Sequence, residues 1–314
     1  VRKILAQIFL IFGMLLLVAF LLPPAGDSVR LALAGDIMLG RGVAQAHSNG
    51  SWDQALMILE PKFSTADFAF ANLESPITDT PLVKEAYDLR APPQSVLAFS
   101  SSGINLLSLS NNHIADSGRQ GIDDTLNALA SAGITPIGPA EEPVILHAKG
   151  IDLAWFALDD INETLNIAGI RRSVALVRDR VDFIILSIHW GNEFKSQPND
   201  RQRDLAQTLA GLGVDILIGH HPHVLQPIEW VWGKGRGRPT LVIYSLGNAL
   251  FDQGAPPAAR QGTLLLLDLN PLGIKGMCIV PFQIDPKSWN VVPANASTEE
   301  KITRTLDVQT CGND

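Results

Sequence analysis

Only two cysteines occur in 314 residues, Cys278 and Cys311, and they do not form a C-x-x-C pair. A thiolate zinc site is therefore not indicated. Two free thiols are expected, because Cys278 lies in an apolar run and Cys311 in a polar tail; pairing would require an oxidising compartment. Charge is scarce as well. Asp, Glu, Lys and Arg make up 18% of the chain against 46% hydrophobic residues, a balance that favours a large buried core and argues against global disorder. No long basic run offsets the formal net charge of −8. Nucleic-acid affinity rests chiefly on phosphate contacts from Lys and Arg, so no nucleic-acid partner is expected. Such a chain also repels polyanions on average, and an anionic substrate needs a local cationic centre. A bound metal would supply one. Internal repeats and low-complexity segments are absent.

One long hydrophobic run is present. Arg2 and Lys3 precede residues 4–22, an apolar stretch broken only by Gln7. At ~1.5 Å per residue, 19 residues span about 28 Å, close to a bilayer core of roughly 30 Å. The leading positive residues predict a cytoplasmic N-terminus and a single-pass transmembrane helix. A cleaved signal peptide with a secreted domain is the alternative, since Pro23-Pro24-Ala25-Gly26 follows. That stretch lacks a small-x-small site, and the run is long for a signal h-region. Residues 1–27 are thus expected to anchor the chain in the cell membrane, and residues 28–314 to form one extracytoplasmic domain.

From Val29 onward apolar runs alternate with amphipathic stretches. Strands are predicted at 29–34, 68–73, 104–110, 183–188, 216–218, 241–245 and 263–269. Several are near-continuous apolar runs, as in strands buried on both faces. Residues 143–147 and 151–158 read as a hairpin turning at Ala148-Lys149-Gly150. Helices are predicted at 51–59, 121–131, 173–180 and 200–212, with Gly133 and Gly213 at C-cap positions. The alternation argues for a layered α/β domain. Gly233-Lys234-Gly235-Arg236-Gly237-Arg238 lacks the G-x-x-x-x-G-K-[ST] order and reads as a hairpin loop. Ser297-Thr298-Glu299-Glu300 is a capping-box pattern that should open a short final helix.

The chemistry is signalled by a repetition. Five apolar runs end in residues able to bind a metal: Asp36, Glu74, Asn111-Asn112-His113, His189, and His220-His221-Pro222-His223. Ligands in open α/β sheets bind beyond the carboxyl ends of strands, where rigid elements hold side chains toward a crevice. Each residue alone reads as a cap, a turn residue or a core histidine. Their coincidence points to a site, because five of the seven histidines fall at strand ends, leaving His47 and His147 elsewhere. Pro222 is expected to hold His221 extended, so that His221 and His223 face one side and His220 the other. Imidazoles with carboxylates suit zinc, iron or manganese better than calcium. Glu74 could bridge two ions through its two oxygens.

Six segments, G-D-I-M-L-G-R (35–41), N-L-E-S-P (72–76), S-N-N-H-I-A-D (110–116), H-W-G-N-E (189–193), G-H-H-P-H-V (219–224) and Y-S-L-G-N (244–248), resemble the CapA/PgsA family in identity and order. That family is named for capsular poly-γ-glutamate synthesis and is related to the calcineurin-like metallophosphoesterases. The resemblance covers nearly all of the chain after the apolar run. It implies a metallophosphoesterase-like double β-sheet core flanked by helices, and two divalent metal ions held by Asp36, Glu74, Asn112, His189, His221 and His223. It also implies His113 as a general acid toward the leaving group. Met38 stands where the wider phosphoesterases carry a histidine, which weakens or rebuilds one metal position. Ala249 replaces an aromatic usual in the family.

Supporting roles are open. Asp116 orients His113 or enters a helix. Glu193 orients a ligand histidine or is a solvated loop residue. Arg90 is a candidate anion contact. Asn248 closes the site floor or makes a turn. Two functions follow. One is metal-dependent phosphoester hydrolysis. The other is an accessory subunit that binds or guides an anionic polymer beside poly-γ-glutamate synthase subunits. The substrate itself is not legible.

Overall fold

The computed structural model describes residues 28–83, 87–138, 142–234 and 237–312. The expected membrane segment therefore lies outside the described residues. No helix among those described is long and apolar enough to cross a membrane.

The chain begins as four parallel strands, β1 (Val29–Ile37), β2 (Phe68–Leu73), β3 (Leu106–Ser108) and β4 (Thr135–Ile137). It then builds a second sheet from β5 (Val144–Ala148), β6 (Ile151–Asp159), β7 (Phe183–His189), β8 (Ile216–His220), β9 (Leu225–Val231) and β10 (Thr240–Leu246), in the order β5-β6-β7-β8-β10-β9. Finally β11 (Asn248–Leu250), β12 (Gln261–Asn270), β13 (Gly273–Ile284) and β14 (Val291–Pro293) return to the first sheet, ordered β14-β13-β12-β1-β2-β3-β4 with β11 paired to β1. The α-helices are α1 (Arg41–Ala46), α2 (Glu60–Phe63), α3 (Leu97–Ser102), α4 (Gly118–Ser131), α5 (Ile167–Val177), α6 (Asp200–Leu212) and α7 (Ala296–Leu306).

The period-two alternation of strands explains the layering. On β1, Val29, Leu31 and Leu33 enter the core between the sheets, while Ala32 and Ala34 face the outer core under the helices. On β6, Ile151, Leu153 and Trp155 face inward, and Ala154, Phe156 and Leu158 face the layer that holds Ile170, Val174 and Leu209 of α5 and α6. Both faces of both sheets are covered, which is why the strands read as continuous apolar runs.

The sheets meet at the carboxyl ends of β1 and β10. A Cβ on Gly35 would lie 1.8 Å from the carbonyl oxygen of Gly247. Gly247 itself has φ +69°, a left-handed turn that glycine adopts without strain. Through it the chain passes from the second sheet into β11 of the first.

Several expectations are refined. Residues 52–63 form two 3₁₀ turns followed by α2 in place of one helix, because Pro61 cannot donate and sits in the first turn of a new helix. The helix expected at 173–180 starts at Ile167, capped by the Asn166 side chain accepting from the Gly169 amide. The final helix is capped by Asn295, which accepts from the Thr298 amide, two residues before the expected cap. The 148–150 hairpin forms, with Lys149 and Gly150 both left-handed, and 232–239 connects antiparallel β9 and β10.

The expectation of two free thiols is overturned: Cys278 and Cys311 form a disulfide. The polar tail folds back along β13, where the Cys311 amide donates to the Ile279 carbonyl and the Ile279 amide to Gln309. The two cysteines are 33 residues apart, a loop whose closure contributes about 3–4 kcal/mol. Replacing both with serine should lower the unfolding free energy by up to about that amount in a urea titration. An unchanged midpoint would contradict this.

Candidate metal centre

Beyond the carboxyl ends of β1, β2, β7 and β8 lies a buried cluster of carboxylates and imidazoles. Asp36 is fully enclosed. Its Oδ1 accepts from Asn72 Nδ2 at 2.9 Å and lies 3.1 Å from His220 Nδ1, and its Oδ2 accepts from the His221 amide at 3.1 Å. Glu74 follows β2, its amide donating to the Ile37 carbonyl. Its Oε1 lies 3.7 Å from His189 Nε2 and 3.7 Å from His223 Nε2. Such separations are too long for hydrogen bonds, yet close to the spacing of atoms that share an ion at about 2.1 Å each. Two sets of potential ligands result, Asp36–Glu74–His189 and Glu74–His221–His223, each within 4.8 Å. Glu74 belongs to both.

The orphaned atoms fit metal binding. Glu74 Oε2 and Asn112 Oδ1 are buried with no hydrogen-bond partner, a costly arrangement unless a ligand satisfies them. Nitrogen and oxygen donors without thiolate suit zinc, iron or manganese.

His221 and His223 converge as expected, but not through an extended chain. Both are left-handed, with φ +91° and +57°, which corrects the extended reading around Pro222. Hydrogen bonding of the His221 amide to Asp36 turns the backbone after β8. Such conformations cost of order 1–3 kcal/mol and are found where the surrounding structure over-determines them. His220 takes the other side, its ring 5.9 Å from that of Phe70, yet it still touches Asp36.

Charge follows burial. Burial pushes Glu74 well above the usual carboxylate range, with Asp36 adding to the rise. Burial likewise pulls His189 well down, and with His223 pulls His221 to about 4. Burial opposes the charged form of His223 too, but Glu74 and then Asp36 outweigh it and raise the ring to about 9. Without metal, the His223 ring is therefore protonated near neutral pH. Metal binding must displace its Nε2 proton, so affinity should rise with pH up to about 9, about tenfold per unit. Calorimetry in buffers of different ionisation enthalpy counts the proton released. Affinity flat from pH 6 to 8 would contradict the assignment.

His113 and Asp116 form a separate pair beside the cluster, with Nδ1 2.8 Å from Asp116 Oδ2. Asp116 is buried, whereas the His113 ring keeps 16% exposure. Asn248 Oδ1 lies 2.9 Å from His223 Nδ1, while its Nδ2 donates to the Ala259 carbonyl. The second bond fixes the amide's orientation, so His223 carries its proton on Nδ1 and turns Nε2 toward Glu74. The site expectation for Asn248 thus resolves into orienting His223. Glu193 is exposed and near enough to push Glu74 upward. Arg90 pairs with Asp88 and donates to the Asp79 and Thr80 carbonyls, so its guanidinium is occupied in this structure. Met38 is buried, its sulfur accepting from the Gly40 amide, and it packs in the outer core.

The sequence reading singled out no role for Asn72, and counted Asn111 only among the strand-end residues able to bind a metal. Asn72 donates to Asp36, and its Oδ1 accepts from Asn111 Nδ2 at 3.2 Å; Asn111 also donates to the Leu73 carbonyl. A signal existed: Asn72 and Glu74 are two residues apart at a strand end and so share a face.

The double-sheet α/β fold that carries this carboxylate–imidazole cluster at its strand ends is metallophosphoesterase-like. The fold comparison agrees: a phosphatase of Mycoplasma pneumoniae superposes with a TM-score of 0.54 at 12% identity, covering 84% of this chain and 96% of that one. The family described as "Bacterial capsule synthesis protein PGA_cap" matches residues 30–253, and the chain belongs to it. "PGA biosynthesis protein CapA" of Bacillus subtilis (strain 168) is 29% identical over 303 residues, covering 89% of this chain and 78% of that protein. A "Probable polyglutamine synthesis accessory protein" of Mycobacterium tuberculosis is 27% identical, covering 72% of this chain and 75% of the relative.

Proposed function

We propose that this capsule-synthesis family member is a membrane-anchored, extracytoplasmic hydrolase that binds two divalent ions (Mn, Fe or Zn) and cleaves a phosphoester. Glu74 carries the reading: one buried carboxylate serves two ligand sets and keeps an unpartnered oxygen. Asp36, Glu74 and His189 would hold one ion and Glu74, His221 and His223 the other, with Asn112 Oδ1 as a further donor. When bound, such ions supply Lewis acidity at the scissile centre. The chain supplies the rest. Asn248 holds His223 in one tautomer, and Asn72 holds Asp36. Asp116 occupies Nδ1 of His113 and leaves Nε2 free to give a proton to the departing oxygen. The Cys278–Cys311 disulfide suits an oxidising compartment.

The accessory reading has support from the name of the mycobacterial relative and from the apolar run that precedes the domain. In that reading the site holds metal for structure or for contact with an anionic polymer beside synthase subunits. A reporter fused after residue 312 tests the shared premise. It should be active only in its exported form, and cytoplasmic activity would reverse the topology. The two readings part on hydrolysis, which only the first requires.

A further inference from the structure

At the end opposite the metal centre, strand termini of both sheets come together. β1 enters there at Val29 and reaches Asp36 about 23 Å further on. β9 runs antiparallel to β10, with Val231 opposite Thr240, so β9 ends where β10 begins, at the same far end. Ile228 of β9 packs into the inter-sheet core. Trp230 and Trp232 lie two and four residues on, and they are 50% and 61% exposed. From the other sheet, Val29 pairs with Leu269, and the turn into β13 immediately beyond carries Leu272 at 81% exposure. Phe183, Trp230, Leu272 and Ile274 line one cavity of about 280 Å³ together with the ion-paired Asp215 and Arg238. Single exposed apolar side chains are ordinary. Here both sheets bring theirs to one mouth.

The chain enters the domain at that same mouth. Five residues separate the end of the apolar run at Leu22 from Ser28, a reach of at most about 20 Å. A domain tethered so closely is held at a high local concentration against whatever receives residues 4–22, so weak docking suffices.

We propose that this mouth docks on a lipid bilayer, with Trp230 and Trp232 at the water–lipid boundary and Leu272 in the upper acyl region; the proposal rests on the anchor reading of residues 4–22. Tryptophan suits that boundary because it is apolar along most of the ring and polar at its N–H. The metal centre then faces away from the membrane, toward material outside.

The test uses the full chain reconstituted in phosphatidylcholine vesicles with brominated upper acyl chains and no other protein. Residues 1–27 contain no tryptophan, Trp52, Trp155 and Trp190 are at most 1% exposed, and the half-buried Trp289 lies beside Gly42, past the carboxyl end of β1 and away from the mouth. Quenching by bromine should therefore report on the mouth. The protein should float with the vesicles, lose emission to the brominated lipid and gain protection from acrylamide. The Trp230→Phe/Trp232→Phe chain should float equally and lose the bromine-quenched component. Flotation with Trp230 and Trp232 still open to acrylamide and untouched by bromine would overturn the docking while leaving the anchor intact. That outcome is also the one expected if a partner protein covers the face. Bromine quenching that persists in the double variant would equally overturn it. Failure to float would overturn the anchor and the docking together.

Discussion

Glu74→Ala should empty both metal positions, whereas His221→Ala and His223→Ala should each weaken one and His220→Ala should retain both. Glu74 alone contributes to the two ligand sets. His220 reaches only Asp36, from the inter-sheet side. The fold should survive the loss of Glu74. Burial raises its pKa, and one of its oxygens has no partner, so the metal-free protein gains little from that carboxylate. Metal per chain after exhaustive dialysis, read with a thermal unfolding curve, checks this. Equal metal loss in all three histidine variants would mean that His220 is a ligand. Two ions retained by Glu74→Ala would remove the bridge from the account. Asn248→Ala should weaken binding by roughly 10- to 100-fold without abolishing it, because it orients His223 and does not itself face the ions.

His113→Ala should keep both ions and the fold but slow phosphoester hydrolysis by roughly 10²- to 10⁴-fold where protonation of the leaving group limits the rate. The penalty should shrink for esters with a good leaving group, which needs little protonation. His113 has its Nδ1 committed to Asp116 and belongs to neither ligand set. Measuring a poor and a good leaving group, with metal content in both proteins, separates proton transfer from binding. Metal loss in the variant would make His113 a ligand. An equal penalty on both esters would remove its role as an acid.

Much of this was legible in the residues because buried parallel strands write themselves as apolar runs. The strand at 68–73 and the helix at 200–212 fall where periodicity puts them. Asp36, Glu74, His189, His221 and His223 are drawn together because each stands at or just past the carboxyl end of a strand. What failed depends on contacts distant in sequence. β13 was not predicted, since a strand interrupted by Lys275, Gly276 and Pro281 has no clean alternation. The disulfide needed the knowledge that the tail returns to β13. The left-handed His221 and His223 overrode the usual effect of Pro222 because the His221 amide is held by Asp36, 185 residues earlier. Arg90 looked free in sequence, yet Asp88 two residues away claims it.

The central claim is a two-metal hydrolytic centre bridged by Glu74. The most direct measurement titrates metal-stripped full-length protein with Mn, Fe or Zn, following bound metal and phosphoester hydrolysis together. The account predicts two ions per chain, with hydrolysis appearing as the second position fills and disappearing on chelation. Two bound ions without hydrolysis of any member of a broad panel of phosphomonoesters and phosphodiesters would contradict it.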